Sequence, residues 1–440
     1  MRKDDETETQ SSADDHAPSG AATDGSLRRS LGLADSVAIG LGAIVGAGIF
    51  VVTGVAAGVA GPSLLVGLAI AALAATANAL SSAQLAAEYP VSGGTYEYGY
   101  RVLGWPFGFA AGWMFLAGKI ASAGTVALGL AGYLGVFAPD VEPRVIAVAA
   151  VVAFTTLNAF GIRRSSQVNL AIVVVSVGAL LTFAVAGMRA FDGANLRPFA
   201  PAGMGGVLRS AALLFFAYTG YARIATLGEE VREPARTIPR AVVITIGIAV
   251  LLYFAVAAVA LGVAGAPALA SSPSPLYVAA RASGAGWLGW VIAVGGIAAM
   301  LGVILSQLLG LSRMAYAMAR RGDLPHTLAH VSARTGVPIR AIVAIGAVAA
   351  VVAATGSLAG VASAASFTIL LYYAIANLSA LRMPSGTKRF PDAVPIIGLG
   401  SCVVLAFALP VTTIALGLAV LVAGFVLRPI LSSRTPAGKA

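Results

Sequence analysis

The chain has 440 residues, 58% of them hydrophobic and only 10% charged, with a formal net charge of +10 and a mean hydropathy of +0.90. Soluble domains carry about 25% charged residues, so this composition excludes an ordinary soluble globule and points to a membrane protein with several crossings. The single Cys402 excludes a disulfide framework within the chain and a cysteine-built metal site, and the three histidines, His16, His326 and His330, lie in hydrophilic stretches.

The first 27 residues are polar, rich in Asp, Glu, Ser and Thr, and show no signal-peptide pattern; residues 1–30 are expected to form a disordered cytoplasmic tail. Apolar runs then follow almost without pause from Ser36 to Leu427. They predict an all-α membrane protein with twelve transmembrane helices, in a transporter domain over 31–430. The spans fall near 36–60, 62–87, 103–136, 145–161, 167–188, 205–228, 239–264, 287–319, 338–354, 357–381, 395–410 and 411–427, and residues 431–440 form a second tail. With both termini in the cytoplasm, 21 of the 28 Lys and Arg residues fall inside. Five fall outside (Arg144, Arg189, Arg197, Arg209 and Arg281), and two, Lys119 and Arg223, fall within spans. This sorting follows the positive-inside rule. The positive charge is therefore a topology signal for a multi-pass protein of the plasma membrane, with the lipid bilayer and not nucleic acid as its partner.

The first span carries Gly40, Gly42, Gly46 and Gly48 at mid-depth, each costing a helix about 1 kcal/mol relative to alanine. Such a span can break there, and a break in lipid is tolerated only around a cavity or within protein. The exposed N–H groups and the new helix N-terminus then attract a carboxylate, as in transporter sites. Close packing of neighbouring helices on small residues is the other reading of these glycines.

Lys119 lies in the third span with no acidic residue near it in sequence. A lysine at mid-bilayer costs about 2.5–3.5 kcal/mol to insert, so it faces a cavity, a partner or a pathway. Proton coupling is one role for it, and structural bonding to backbone carbonyls is the other. The sixth span, Phe215 to Tyr221, alternates aromatic and small residues around Gly220 and leaves the membrane through Glu229, Glu230 and Arg232. Interruptions five spans apart are the signature of an inverted five-plus-five repeat. The repeats would cover 36–188 and 205–381, with two additional helices at 395–427. This pairing favours the binding-site reading of the first-span glycines.

Four segments in the same order resemble the amino acid–polyamine–organocation superfamily of permeases. They are Gly46 to Phe50, Glu88 to Tyr96, Glu229 to Pro239, and Ser312 to Pro325. The resemblance implies the fold first described for a sodium-coupled leucine transporter, with helices 1 and 6 broken around an amino acid substrate. By position, the site would comprise Ile44, Gly46, Ala47, Gly48 and Ile49 from the first span, and Phe216, Ala217, Thr219 and Gly220 from the sixth. Amides at Ala47 and Gly48 would hold the carboxylate; carbonyls near Ile44, Phe216, Ala217 and Thr219 would accept from the ammonium; Phe216 would gate the site.

Two departures bear on mechanism. Ser176 stands where many proton-coupled relatives carry a fifth-helix lysine, and Ala222 followed by Arg223 stands where the cationic-substrate branch often has an acidic residue. The expected function is secondary active transport of neutral amino acids or similar zwitterions by alternating access, coupled to protons through Lys119. Arg223 has pairing with Glu229 or Glu230 as its simpler role, and Ser306 is the candidate ligand if sodium is the coupling ion. The alternatives are a sodium-coupled or uncoupled exchanger of amino acids or polyamines, or a nutrient sensor on the same fold. No cofactor or metal is expected, nor an enzyme: all ten aspartates lie outside the apolar centres of the spans and no histidine enters them.

Overall fold

The computed structural model describes residues 31–89, 93–161, 166–225 and 231–431. The expected tail over 1–30, all of the expected tail 431–440 but Leu431, the basic pair Arg163 and Arg164, and the acidic pair Glu229 and Glu230 lie outside the described residues.

Among the described residues, the protein is all-helical, with helices in the regions of the expected spans. In chain order they are α1 (Leu33–Ile44), α2 (Thr53–Ala60), α3 (Leu64–Glu88), α4 (Thr95–Tyr98), α5 (Trp105–Leu134), α6 (Pro143–Ala159), α7 (Ser166–Gly187) and α8 (Gly203–Tyr218). There follow α9 (Ala222–Ala225), α10 (Pro234–Ala270), α11 (Pro275–Ala282), α12 (Gly286–Arg321), α13 (Ile339–Thr355), α14 (Leu358–Leu381), α15 (Ala393–Phe407) and α16 (Val411–Leu431). Among the described residues, seven helical runs are long and apolar enough to cross a membrane, the first of them, Leu33–Glu88, comprising α1 to α3. The apolar helices α6, α13 and α15 are shorter, at 17, 17 and 15 residues, or about 23–26 Å at 1.5 Å per residue.

The turn between α2 and α3 needs Gly61, whose φ of 61° lies where a side chain is rarely tolerated. The seventh predicted span runs on past its expected end. α10 reaches Ala270 through a bend at Gly265 (φ 72°) and delivers the chain to the short helix α11. α11 lies against α12, α2 and the segment Gly48–Val52, and so covers one end of the first span.

At the centre, α3 packs against α8, α10 and α15, and α5 against α14, α12 and α6. Glycine and alanine dominate these seams, so helices approach closely. Outer faces are apolar and exposed, with Val185, Leu251 and Val411 as examples. In water such a surface would drive aggregation; in a bilayer it is the expected lipid face.

One polar anchor closes the end of the bundle marked by α4. Asp323, wholly buried just past α12, accepts from Tyr96 Oη at 2.7 Å, Tyr100 Oη at 2.6 Å and Arg428 Nε at 2.9 Å. Arg428 also lies 4.5 Å over the Trp105 ring, and Arg321 lies 4.3 Å over Tyr100 while pairing with Glu97 at 2.9 Å. A carboxylate removed from water costs several kcal/mol unless its lone pairs are filled, and here three donors from three elements fill them.

Candidate substrate site

The first span breaks where its glycines concentrate. α1 stops at Ile44; Val45 turns extended (φ −72°, ψ 104°); a π-helical turn over Gly48–Val52 then leads into α2. Ala47 and Gly48 therefore stand at the start of the outgoing helix, where N–H groups lack intrahelical acceptors and the helix dipole favours an anion. The second break is gentler. α8 ends at Tyr218, tightens into a 3₁₀ turn over Thr219–Tyr221 and continues as α9.

The two breaks are seated on each other through glycine. A Cβ on Gly48 would strike Ala217, Cα first and Cβ at 2.5 Å; one on Gly220 would strike the Ala43 carbonyl and, at 2.5 Å, the Ile44 nitrogen. Each break thus presses bare backbone into the backbone of the other. Here the binding-site and packing readings of the glycines meet, because the close packing is what brings the two breaks together.

Buried tyrosines from helices outside the two breaks reach backbone carbonyls at the breaks. Tyr253 Oη on α10 donates to Ile44 O at 2.8 Å and approaches Ala217 O at 3.4 Å. Tyr133 Oη on α5 donates to Phe50 O at 2.8 Å, its ring edge-on to Phe50 at 5.9 Å. Tyr373 Oη on α14 reaches Thr219 O at 3.4 Å, and Thr219 Oγ1 caps Phe216 O at 2.9 Å. Carbonyls expected to face a substrate ammonium thus already hold side-chain donors, and those of Phe216 and Thr219 also accept from the backbone N–H groups of Thr219 and Ala222. Sequence reading missed all three tyrosines; the available signal was a phenol at mid-span, which needs a partner when buried.

Ile44, Ala47, Ile49, Ala217 and Thr219 are buried, and Gly220 is half-buried. Phe216 keeps 8% of its surface and, among the described residues, stacks on no other aromatic ring. Gly46 faces α12, where an added Cβ would sit 2.9 Å from Val303 Cγ2. One turn on, Ser306 Oγ donates back to Gly302 O at 3.0 Å and Val303 O at 3.1 Å, and Gln307 Nε2 donates to the Lys119 carbonyl at 2.9 Å. Lys119 is half-buried on α5, so α12 links it to the first break through backbone and side chain. Ser176 is buried in α7 with its hydroxyl donating to Ile172 O at 2.6 Å. Its face of α7 meets α1, because an added Cβ on Gly42 would contact Val173, three residues earlier. Arg223 lies on α9, one turn beyond Gly220.

Burial is unequal along the first span. Only Ser36, Gly40 and Ile44 of the 12 residues of α1 are buried, whereas every residue of Gly48–Val52 is. A groove of about 360 Å³ between α3 and α10, lined by residues such as Thr76, Ile246 and Val250, is almost wholly apolar and contains none of the break residues.

The amino acid permease family model matches residues 31–432. The chain belongs to the amino acid permease family, within the amino acid–polyamine–organocation superfamily. This permease is 47% identical over 413 residues to an uncharacterized transporter of Mycobacterium tuberculosis, with 93% of each chain covered. It is 33% identical to a branched-chain amino acid permease of Bacillus subtilis, over 72% of this chain and 73% of that one. It is also 30% identical to a methylthioribose transporter of the same organism, over 88% and 90% of the two chains.

Proposed function

We propose that this permease is a secondary active transporter of neutral amino acids, working by alternating access around the joined breaks at Val45–Ala47 and Thr219–Tyr221. Twelve spans in an inverted five-plus-five repeat, with both termini cytoplasmic in the plasma membrane, form the frame. The observation that carries the reading is the reciprocal seating of Gly48 on Ala217 and Gly220 on Ala43. It sets the N–H-rich start of one half-helix beside the carbonyl-rich end of another, the pair of poles that a zwitterion requires.

A substrate carboxylate is held by the amides of Ala47 and Gly48, and its ammonium is faced by the carbonyl ends of the two breaks, at Ile44, Phe216, Ala217 and Thr219. Neutral substrates are favoured because neither broken span carries an acidic side chain, between Ser36 and Ala60 or between Gly203 and Ala225. The name of the branched-chain relative agrees with this class. Lys119, reached through Gln307 from the helix that faces the first break, is the proton-coupling group. Ser306 has its hydroxyl proton committed within its own helix and is the ligand in the competing sodium reading.

Uptake of labelled leucine, lysine and glutamate into proteoliposomes tests the proposal. Flux of leucine ahead of the charged pair supports it. A preference for lysine overturns the substrate class, and binding without flux overturns transport in favour of a sensor.

A further inference from the structure

Tyr253 does something that the reading above leaves unused. Its hydroxyl lies between the carbonyls of both breaks, at 2.8 Å from Ile44 O and 3.4 Å from Ala217 O, with no part of the side chain exposed. Two carbonyl oxygens converging on one buried point repel each other, and a low dielectric makes that repulsion and their missing donors costly. Such a gap is filled by a cation or by a donor. Here the donor is built in, and it comes from α10, a helix that packs against α1, α2 and the 3₁₀ turn of the second break. Tyr218, from the second broken helix itself, lies against the Tyr253 ring with centroids 5.3 Å apart.

We infer that Tyr253 is a positioning residue whose hydroxyl ties the ends of the two broken helices to α10, holding both half-sites in register for substrate. The inference rests on the substrate site proposed above. The hydroxyl bonds to backbone only, so it acts through Ile44 and Ala217 and takes no part in contacting the transported molecule. Its single proton also occupies the place between the carbonyls where a cation would otherwise sit.

The neighbouring ring supplies the control. The Tyr218 hydroxyl is buried and makes no hydrogen bond among the described residues, so Tyr218→Phe removes a hydroxyl of the same kind and depth without touching the bridge. Leucine uptake into proteoliposomes is measured for the native protein, Tyr253→Phe and Tyr218→Phe. Expected is a rise in KM of about tenfold for Tyr253→Phe, the scale of one lost buried hydrogen bond, with Vmax changed less than twofold. Tyr218→Phe keeps the native KM. An unchanged KM in Tyr253→Phe, or equal rises in both variants, overturns the inference.

A second readout needs no substrate, so it separates failure of this inference from failure of the transport reading. Spin labels at Leu33 on α1 and Arg320 at the end of α12, both exposed, report the distance between the first broken helix and the unbroken frame. Tyr253→Phe broadens that distance distribution and Tyr218→Phe does not. An unchanged distribution in Tyr253→Phe rejects the tie, whatever the protein transports.

Discussion

Adding one methyl group at Gly48 is the sharpest perturbation that the site allows. A Cβ built there would lie 2.5 Å from Ala217 Cβ, and closer still to Ala217 Cα, whereas ordinary contact begins at 3.4 Å. The two breaks must therefore separate by about 1 Å, the difference between those distances. Part of what obstructs is backbone, so no side-chain rotation relieves the clash. Overpacking of this kind costs about 1–3 kcal/mol, or about five- to 150-fold in an equilibrium constant at 1.4 kcal/mol per tenfold. The cost falls on the groups that the proposed site aims at one substrate. Gly48→Ala should therefore raise KM for leucine uptake by at least fivefold while the protein still elutes as a monodisperse detergent complex. Gly247→Ala on α10 is the control, since a Cβ there meets open space. If Gly48→Ala transports with native KM and an unshifted thermal midpoint, the seating of the two breaks is not what builds the site.

Three further outcomes are expected. Lys119→Ala should abolish leucine flux driven by an imposed pH gradient, and pH-driven flux that survives in this variant, or native flux that follows sodium and ignores pH, would clear Lys119 of coupling. Asp323→Asn should lower stability by about 2 kcal/mol or more, read as a fall in the thermal midpoint. This is less than the 3–5 kcal/mol of a fully buried pair because Arg428 keeps 28% of its side chain exposed. Burial first, and Asp323 beside them, push the Tyr96 and Tyr100 hydroxyls above their usual value of 10.0. A raised value stabilises fully below about pH 10 and is lost as pH climbs through the folded value. The thermal midpoint should thus fall above pH 10, and less steeply in Tyr96→Phe than in the native protein; identical slopes would refute the role of the anchor.

What the sequence made legible follows from locality. Hydropathy placed the helices because each span needs only its own neighbours in sequence, and Gly46, Gly48 and Gly220 marked the breaks because backbone weakness is also local. The partners of the breaks were not legible. Tyr133, Tyr373 and Tyr253 stand 83, 154 and 209 residues from the carbonyls they reach, and nothing in hydropathy or spacing selects one tyrosine among the 12. The same limit hid Asp323, which reads as one polar residue of a hydrophilic exit and is wholly buried because Tyr96, Tyr100 and Arg428 arrive from distant segments. The second break, expected as an interruption of the sixth span at Gly220, is a 3₁₀ turn in which Thr219 Oγ1 caps Phe216 O.

The uneven burial of the first span has a thermodynamic consequence. Tilting α1 uncovers little, because nine of its 12 residues already keep some surface exposed. In the alternating access proposed above, opening the opposite end brings Ile49, Phe50, Val51 and Val52, all buried now, into contact with water. Exposure of apolar surface raises heat capacity, so in a transporter of this build the two half-cycles differ in their response to temperature. The half that uncovers Gly48–Val52 carries the larger heat-capacity change. In the same proposed cycle, cooling weakens the apolar contacts that hold that end shut.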